Sequence, residues 1–498
     1  MNIQLHKEEV RVSQNGGGFK RIFRNFSGLT LGKIGGDFFN FFLFVFLSRE
    51  FGQQGIGQYS FAFGFTGLFS ILADFGLYNY SIKEISISKN KFEQSYLGIF
   101  SLRLILSTLL LLLLFAIIPF LNFSFESKLI IAIIGTHQII YVLIDGLGAI
   151  FVGHEFMFAA GLIAASSRTM TSLTSIIIVL LTGNLVFSLL SFPIMSILQF
   201  IVLIYIVKKR FGSLKVTFST RILIETFKNV LPYGIKTFLS MIFIRCDVIL
   251  IGFLLGEVAV GLYNVGYRVI FFLLFIPNFT AVSIFPIISK MFRTSKSEFQ
   301  KMYNKSLNMM VVIALPISAG LWLISSKLIE LVFGQDFSES AQVLRILSGI
   351  FLLNSIGSIM EFFLISSDKQ NEYAKSQFVA TVFSIIVNLV LIHFYGIEGA
   401  AVAVLSAYFL LAVMYGIRLK NVVGLPNIKS RLFISLLGIV AFCIPMSFFS
   451  NLSIFIIIPL STLIYLGTLI VFKDIRNNEL RMFLSLIGIK RNGTESII

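Results

Sequence analysis

Phe51-Gly52-Gln53-Gln54-Gly55-Ile56-Gly57-Gln58-Tyr59 is a short glycine-bearing joint between two long apolar runs. Its pattern returns 204 residues later as Leu255-Gly256-Glu257-Val258-Ala259-Val260-Gly261-Leu262-Tyr263. Both stretches read G-x4-G-x-Y. Glycine turns and interfacial tyrosines do recur by chance, but here each copy sits at the matching place in the order of apolar runs. Lys33, in the run before the first copy, also falls within one residue of the position equivalent to Lys236 before the second. The pattern therefore predicts an internal repeat, a common plan for transporters.

The runs outside the joints set the fold class. Of 498 residues 56% are hydrophobic and 13% charged, against roughly 25% charged in soluble domains. The mean hydropathy is +0.91. A soluble chain cannot hide that much apolar surface. This excludes a soluble enzyme, a disordered chain and a secreted disulfide scaffold; Cys246 and Cys443 stand far apart in apolar runs and read as small buried hydrophobes. A membrane-spanning helix needs roughly 20 apolar residues. That ruler gives about fourteen spans: 27–48, 58–81, 96–121, 128–152, 157–182, 184–207, 231–254, 261–289, 306–329, 342–366, 374–395, 399–418, 432–450 and 453–472. The runs are continuous and too long for barrel strands. Residues 1–26 read as a basic cytoplasmic tail with no cleavable leader. The expectation is an all-α polytopic membrane protein. Its parts are an N-lobe of six helices (27–207), a cytoplasmic linker (208–230), a C-lobe of six (231–418), two further helices (432–472) and a tail (473–498). Six helices separate the two copies of the joint, so the lobes have the same orientation, a parallel repeat.

Fourteen spans put both termini on one side. Of 40 basic residues, 29 fall on that side, among them Lys20, Arg21, Lys83, Lys208, Lys209, Arg210, Lys290, Arg418 and Arg476, and the opposite side holds only Arg49, Lys128 and Lys327. The positive-inside rule makes that side cytoplasmic. The net charge of +16 is thus mostly topology, and a nucleic-acid partner is not called for. The loops are short and contain no GxxxxGK[ST], HExxH or GxSxG. They leave no room for a catalytic domain, so no enzyme activity, cofactor or metal is expected.

Eight basic residues remain inside the spans, where a charge costs roughly 2.5–3.5 kcal/mol on insertion scales. Arg345 and Lys375 lie within a turn of the interface and can snorkel. Lys236 and Arg268 are one to two turns in. Arg168 and Arg245 sit near mid-span, as does Asp37, and these call for a polar interior. Lys33, Arg103, Arg168, Lys236, Arg245 and Arg268 are accordingly the candidates for a cationic cavity, with Arg245 the deepest. Asp37, Asp74, Asp145 and Asp247 are candidates for ion coupling or for ion pairing. Lys33 and Asp37, at i,i+4, share a face and could pair with each other. Lys236 and Arg245 point about half a turn apart on one helix and cannot both line one cavity. A cationic cavity suits an anionic substrate, and arginine suits phosphate. His137 and His393 stand alone in spans and read as locally satisfied polar groups.

Leu47-Ser48-Arg49-Glu50-Phe51-Gly52-Gln53-Gln54-Gly55-Ile56-Gly57-Gln58-Tyr59 followed by Leu72-Ala73-Asp74-Phe75-Gly76-Leu77 resembles the helix-one/helix-two signature of bacterial polysaccharide exporters. These are the O-antigen and capsule repeat-unit flippases, in the superfamily that holds MATE-type multidrug exporters and lipid II flippases. Phe333-Gly334-Gln335-Asp336-Phe337 and Tyr395-Gly396-Ile397-Glu398-Gly399-Ala400-Ala401 are similar too, and the resemblance runs from about residue 25 to 420. It implies two lobes working by alternating access, and passage of undecaprenyl-diphosphate-linked oligosaccharides for lipopolysaccharide or capsule across the bacterial inner (cytoplasmic) membrane. It also implies a cationic central cavity, membrane lipids as surroundings, and a polysaccharide polymerase and chain-length proteins as partners. The alternatives differ in what they require. A MATE-type cation exporter asks for an acidic cavity, a lipid II flippase for an arginine-rich first helix, and a polymerase or ligase for a long external loop.

Overall fold

The computed structural model of the chain describes residues 18–87, 92–424, 429–448 and 453–471, with backbone alone for 18–31, 92–95, 236, 429–436, 447–448 and 470. The expected C-terminal tail (473–498), most of the N-terminal tail, Lys89 and Lys91 lie outside the described residues, as does the side chain of Lys236. Among the described residues every regular element is helical. In order they are α1 (Gly18–Asp74), α2 (Leu77–Ile87), α3 (Phe92–Ile117), α4 (Phe125–Gly153), α5 (Met157–Thr182), α6 (Leu185–Leu189), α7 (Ser191–Arg210) and α8 (Thr220–Leu254). They continue as α9 (Glu257–Leu273), α10 (Phe275–Thr294), α11 (Lys296–Phe333), α12 (Ser340–Ser366), α13 (Gln370–Val423), α14 (Lys429–Phe448) and α15 (Ile454–Val471).

Helices α1 and α13 run for 57 and 54 residues. As straight rods they would measure about 80 Å, against a hydrocarbon core of roughly 30 Å. Neither is straight. Gly52 (φ 62°) and Gly396 (φ 58°) adopt backbone angles that favour glycine. Across Gly52 the rings of Phe44 and Tyr59 lie 6.3 Å apart, where 15 residues of straight helix would separate them by about 22 Å. Across Gly396, a Cβ on Gly399 would stand 2.0 Å from the Leu391 carbonyl oxygen. Each is a hairpin of two crossings. Ten helices among the described residues are long and apolar enough to cross a membrane, and two shorter apolar helices follow near the C-terminus. With the two hairpins counted twice, these make fourteen candidate crossings.

Two expected spans are broken. The span over 184–207 breaks at Leu190, between α6 and α7, and the span over 261–289 breaks at Leu274, between α9 and α10. Pro193 and Pro277 explain both breaks. Each follows by four residues the last helical residue, Leu189 or Leu273, whose carbonyl a proline cannot serve.

The lobes are knit by small residues. A Cβ on Gly32 would stand 2.3 Å from the Gly161 carbonyl oxygen, so α1 and α5 meet backbone to backbone, as close-packed membrane helices do. Helix α8 begins at Thr220, inside the expected 208–230 linker, and its first half leans on the N-lobe. Phe227 stacks on Phe75 at 5.7 Å, and Val230 is buried among Leu77, Tyr96 and Phe100. Helices α14 and α15 form a hairpin against α11. There Tyr465 donates to the Val312 carbonyl at 2.8 Å, and Phe442 sits 3.2 Å from where a Cβ on Gly320 would be.

Candidate functional site

A cavity of about 510 Å³ lies between the first limb of α1 and the C-lobe, within the range of roughly 300–1,000 Å³ usual for small-molecule sites. The N-lobe supplies only Ile34, Asp37, Asn40 and Phe41; the rest of the lining comes from residues 240–411. One wall is aromatic. Phe271, Phe272, Phe275 and Phe279 line it on both sides of the break at Leu274. Phe271 and Phe275 are exposed. The facing helices supply polar groups at helical spacing: Asn354 and Glu361 two turns apart on α12, Tyr373 and Gln377 one turn apart on α13. The Asn354 side-chain oxygen is buried and has no hydrogen-bond donor among the described residues.

Arg268 is the guanidinium among the lining residues. It donates to both the side-chain and the backbone oxygen of Asn40, the latter at 3.1 Å, and lies over the Phe44 ring at 4.8 Å. Phe41 meets Phe272 at 5.0 Å beside it. These contacts join the two lobes above the cavity. The lining carboxylates are Asp37 and Glu361. Asp37 pairs with Arg168 on α5 rather than with its helical neighbour Lys33. Their side chains are 49% and 33% exposed. A charge pair this open at mid-span belongs against a wet space, because lipid would penalise it.

The other expected residues lie elsewhere. Arg103 is fully buried inside the N-lobe and bonds Asp74 at 2.9 Å. Gly146 makes its room, since a Cβ there would sit 1.5 Å from Nη1. Asp74 also accepts from the backbone N–H groups of Gly76 and Tyr78 at 3.2 and 3.1 Å, capping α2. Asp247 is buried and accepts from the Tyr263 hydroxyl at 2.5 Å. Arg245 is half-buried in α8, Asp145 half-buried in α4, and Lys33 exposed; none of the three lines the cavity. Glu361, Asn354 and Gln377 were not among the residues expected from sequence. The signal for Glu361 was an acid inside the apolar stretch Ile359-Met360-Glu361-Phe362-Phe363.

Both ends of the lobe interface are closed by glycine. At one end the repeated joints meet. A Cβ on Gly57 would lie 1.9 Å from the Glu257 carbonyl oxygen, and one on Gly261 would lie 2.2 Å from the Gln53 carbonyl oxygen. Residue 53 thus touches 261, the equivalent of 57, and residue 57 touches 257, the equivalent of 53, a reciprocal pairing that a two-fold contact requires. Arg49 reinforces this end by donating to the Val332 carbonyl at 2.8 Å and to the Leu331 carbonyl, at the C-terminus of α11. The Gln53 amide donates to the Asp336 carbonyl. At the other end a Cβ on Gly76 would lie 2.6 Å from the Gly234 nitrogen, and one on Gly234 would lie 2.4 Å from the Phe75 ring. Phe75, at φ 37°, holds a backbone angle rare for a side-chain-bearing residue.

Comparison with known proteins agrees with this architecture. The chain is 29% identical over 182 residues to a probable low-salt glycan biosynthesis flippase of Haloferax volcanii, which covers 36% of this chain and 38% of that protein. It is 24% identical over 382 residues to a putative O-antigen transporter of Shigella flexneri, 72% of this chain and 88% of that one. Among solved structures, the inward closed conformation of a lipid II flippase, MurJ, superposes with a TM-score of 0.74 at 16% identity. It covers 90% of this chain and 99% of its own. An inward-facing MATE family multidrug transporter superposes with a TM-score of 0.63 at 15% identity, over 79% of this chain and 94% of its own. Residues 22–292, more than half of the chain, match the model of the polysaccharide biosynthesis protein family, and the chain belongs to that family.

Proposed function

We propose that this multi-pass membrane protein is a flippase that carries undecaprenyl-diphosphate-linked oligosaccharide repeat units across the bacterial inner membrane. The observation that carries the reading is the amphiphilic cavity between the lobes: an aromatic wall, a polar wall and one guanidinium, Arg268, at the lobe junction. A sugar needs hydrogen-bonding groups and flat apolar surface, a diphosphate needs a cation, and a polyprenyl tail needs only lipid. Arg268 is suited to the diphosphate, since guanidinium binds phosphate through paired donors. The six-helix lobes, 27–207 and 231–418, act as the two rocking bodies. The end rich in basic loops faces the cytoplasm. A polymerase and chain-length proteins take the product on the outer side.

The test is deletion in a strain with no other flippase of this class. Lipid-linked repeat units should accumulate where an added, membrane-impermeant glycosidase cannot reach them. The wild-type gene should restore access, and Arg268→Ala should fail to do so at equal protein abundance. Units that reach the outer face without the protein would end the proposal. A second reading, export of organic cations, is favoured by the carboxylates Asp37 and Glu361 at the cavity; raised drug sensitivity on deletion, with normal surface glycan, would select it.

A further inference from the structure

We infer that the C-lobe part of this cavity is a sugar chamber and that Glu361 sets its selectivity, favouring repeat units whose seated sugar is uncharged over those bearing a carboxylate. This deepens the flippase reading and rests on it for the identity of the cargo.

A pyranose ring has two unlike surfaces, an apolar face of axial C–H groups and a rim of hydroxyls. The cavity offers a match to each. Phe275 and Phe279, one turn apart on α10, and Phe271, at the end of α9, line the cavity, giving flat apolar surface. Asn354, Glu361 and Gln377 come from the other helices. Glu361 already takes a hydrogen bond from Tyr373, and a carboxylate keeps further acceptor positions for ligand hydroxyls, while an amide accepts and donates. The Asn354 side-chain oxygen is buried there with no donor among the described residues, and a buried acceptor of that kind gains from a ligand hydroxyl. The cation of the lining, Arg268, is tied to Asn40 at the lobe junction, while Glu361 stands on α12 beside Tyr373 and Gln377 of α13. The charges of the lining are thus divided: Arg268 and Asp37, itself paired with Arg168, stand at the lobe junction, and Glu361 stands on α12 with no lining cation on its own helix. A uronic acid placed there would meet a like charge in a poorly solvated space, where repulsion is strong. A neutral hexose or an N-acetyl sugar would meet acceptors.

The test measures binding, apart from translocation. The full chain in nanodiscs is titrated with two lipid-free disaccharide probes that differ only in one group, a terminal glucoside and the corresponding glucuronide. The wild type should bind the glucoside about tenfold more tightly. Glu361→Gln, which keeps shape and removes charge, should bring the two affinities within about threefold, mainly by strengthening glucuronide binding. Phe275→Ala should weaken both probes alike, about tenfold. An unchanged probe ratio in Glu361→Gln, with the variant folded by thermal unfolding, overturns the inference and leaves the flippase reading intact. Absence of wild-type binding to either probe at millimolar concentration overturns it too. Failure of the deletion test with the binding pattern present would instead show a sugar-binding chamber in a protein that is not the flippase.

Discussion

Gly57→Ala should open the glycine-joint end of the protein. The new Cβ would stand 1.9 Å from the Glu257 carbonyl oxygen, and ordinary contact begins near 3.4 Å. The two backbones must therefore part by about 1.5 Å. Both partners are backbone in helices, so neither can rotate away as a side chain would. Overpacking of this kind costs about 1–3 kcal/mol, and it falls only on the state in which the joints touch. That shifts the balance between closed and open forms by about 5- to 150-fold. Gly261→Ala creates the mirror clash and should act in the same direction. The double variant should shift little further, because the gap made for one methyl already admits the other. The assay is the rate at which a membrane-impermeant maleimide added to whole cells labels a single cysteine at Val260, buried in the seal, after Cys246→Ser and Cys443→Ser. The expected result is faster labelling in both single variants at unchanged abundance. Equal labelling of Gly57→Ala and the parent would refute the reasoning, and so would opposite effects of the two substitutions.

Three further outcomes follow from the same geometry. Gly76→Ala or Gly234→Ala should open the other end, slowing labelling at Val260 below the parent rate while speeding labelling of a cysteine placed at Val230 in inverted vesicles. Arg103→Leu leaves the Asp74 carboxylate without its cation inside the N-lobe and should destabilise by about 3–5 kcal/mol, read as a lower thermal midpoint in detergent; Gly146→Ala, which crowds the same guanidinium, should lower it as well. Asp37→Arg combined with Arg168→Asp should recover more transport than either single change, because the pair spans α1 and α5 and needs opposite charges more than a fixed order; no recovery beyond the better single variant would argue that Asp37 acts on something other than Arg168.

The crossings could be read from the sequence because a bilayer leaves so few options: a run of about 20 apolar residues has little else to be. The joints could be read because backbone approaching backbone excludes every side chain, and so Gly57 and Gly261 stand at repeat-related positions. The site was harder. Asp37 pairs with a residue 131 positions away, and Arg103 with one 29 positions away, and helical spacing carries no trace of such pairings. Position in the span makes Arg245 the deepest basic residue, but depth says nothing of direction: the rotation of α8 sends Phe243 and Ile244 to the cavity and not Arg245. Arg268, nearer a span end, carries the weaker sequence signal of the two. The breaks at Leu190 and Leu274 were signalled by Pro193 and Pro277, whose missing N–H groups act on a carbonyl four residues earlier.

The cavity wall is shared unequally. All that the N-lobe contributes is one side of a single helix, while four-fifths of the lining residues belong to the C-lobe. In the alternating-access cycle proposed above, a molecule held there would keep nearly all its contacts as the lobes part and lose only that one side. The N-lobe is then the door and the C-lobe the carriage. The passenger stays seated while the door swings, so the work of discrimination can be done once, by one lobe, and need not be rebuilt on the far side of the membrane.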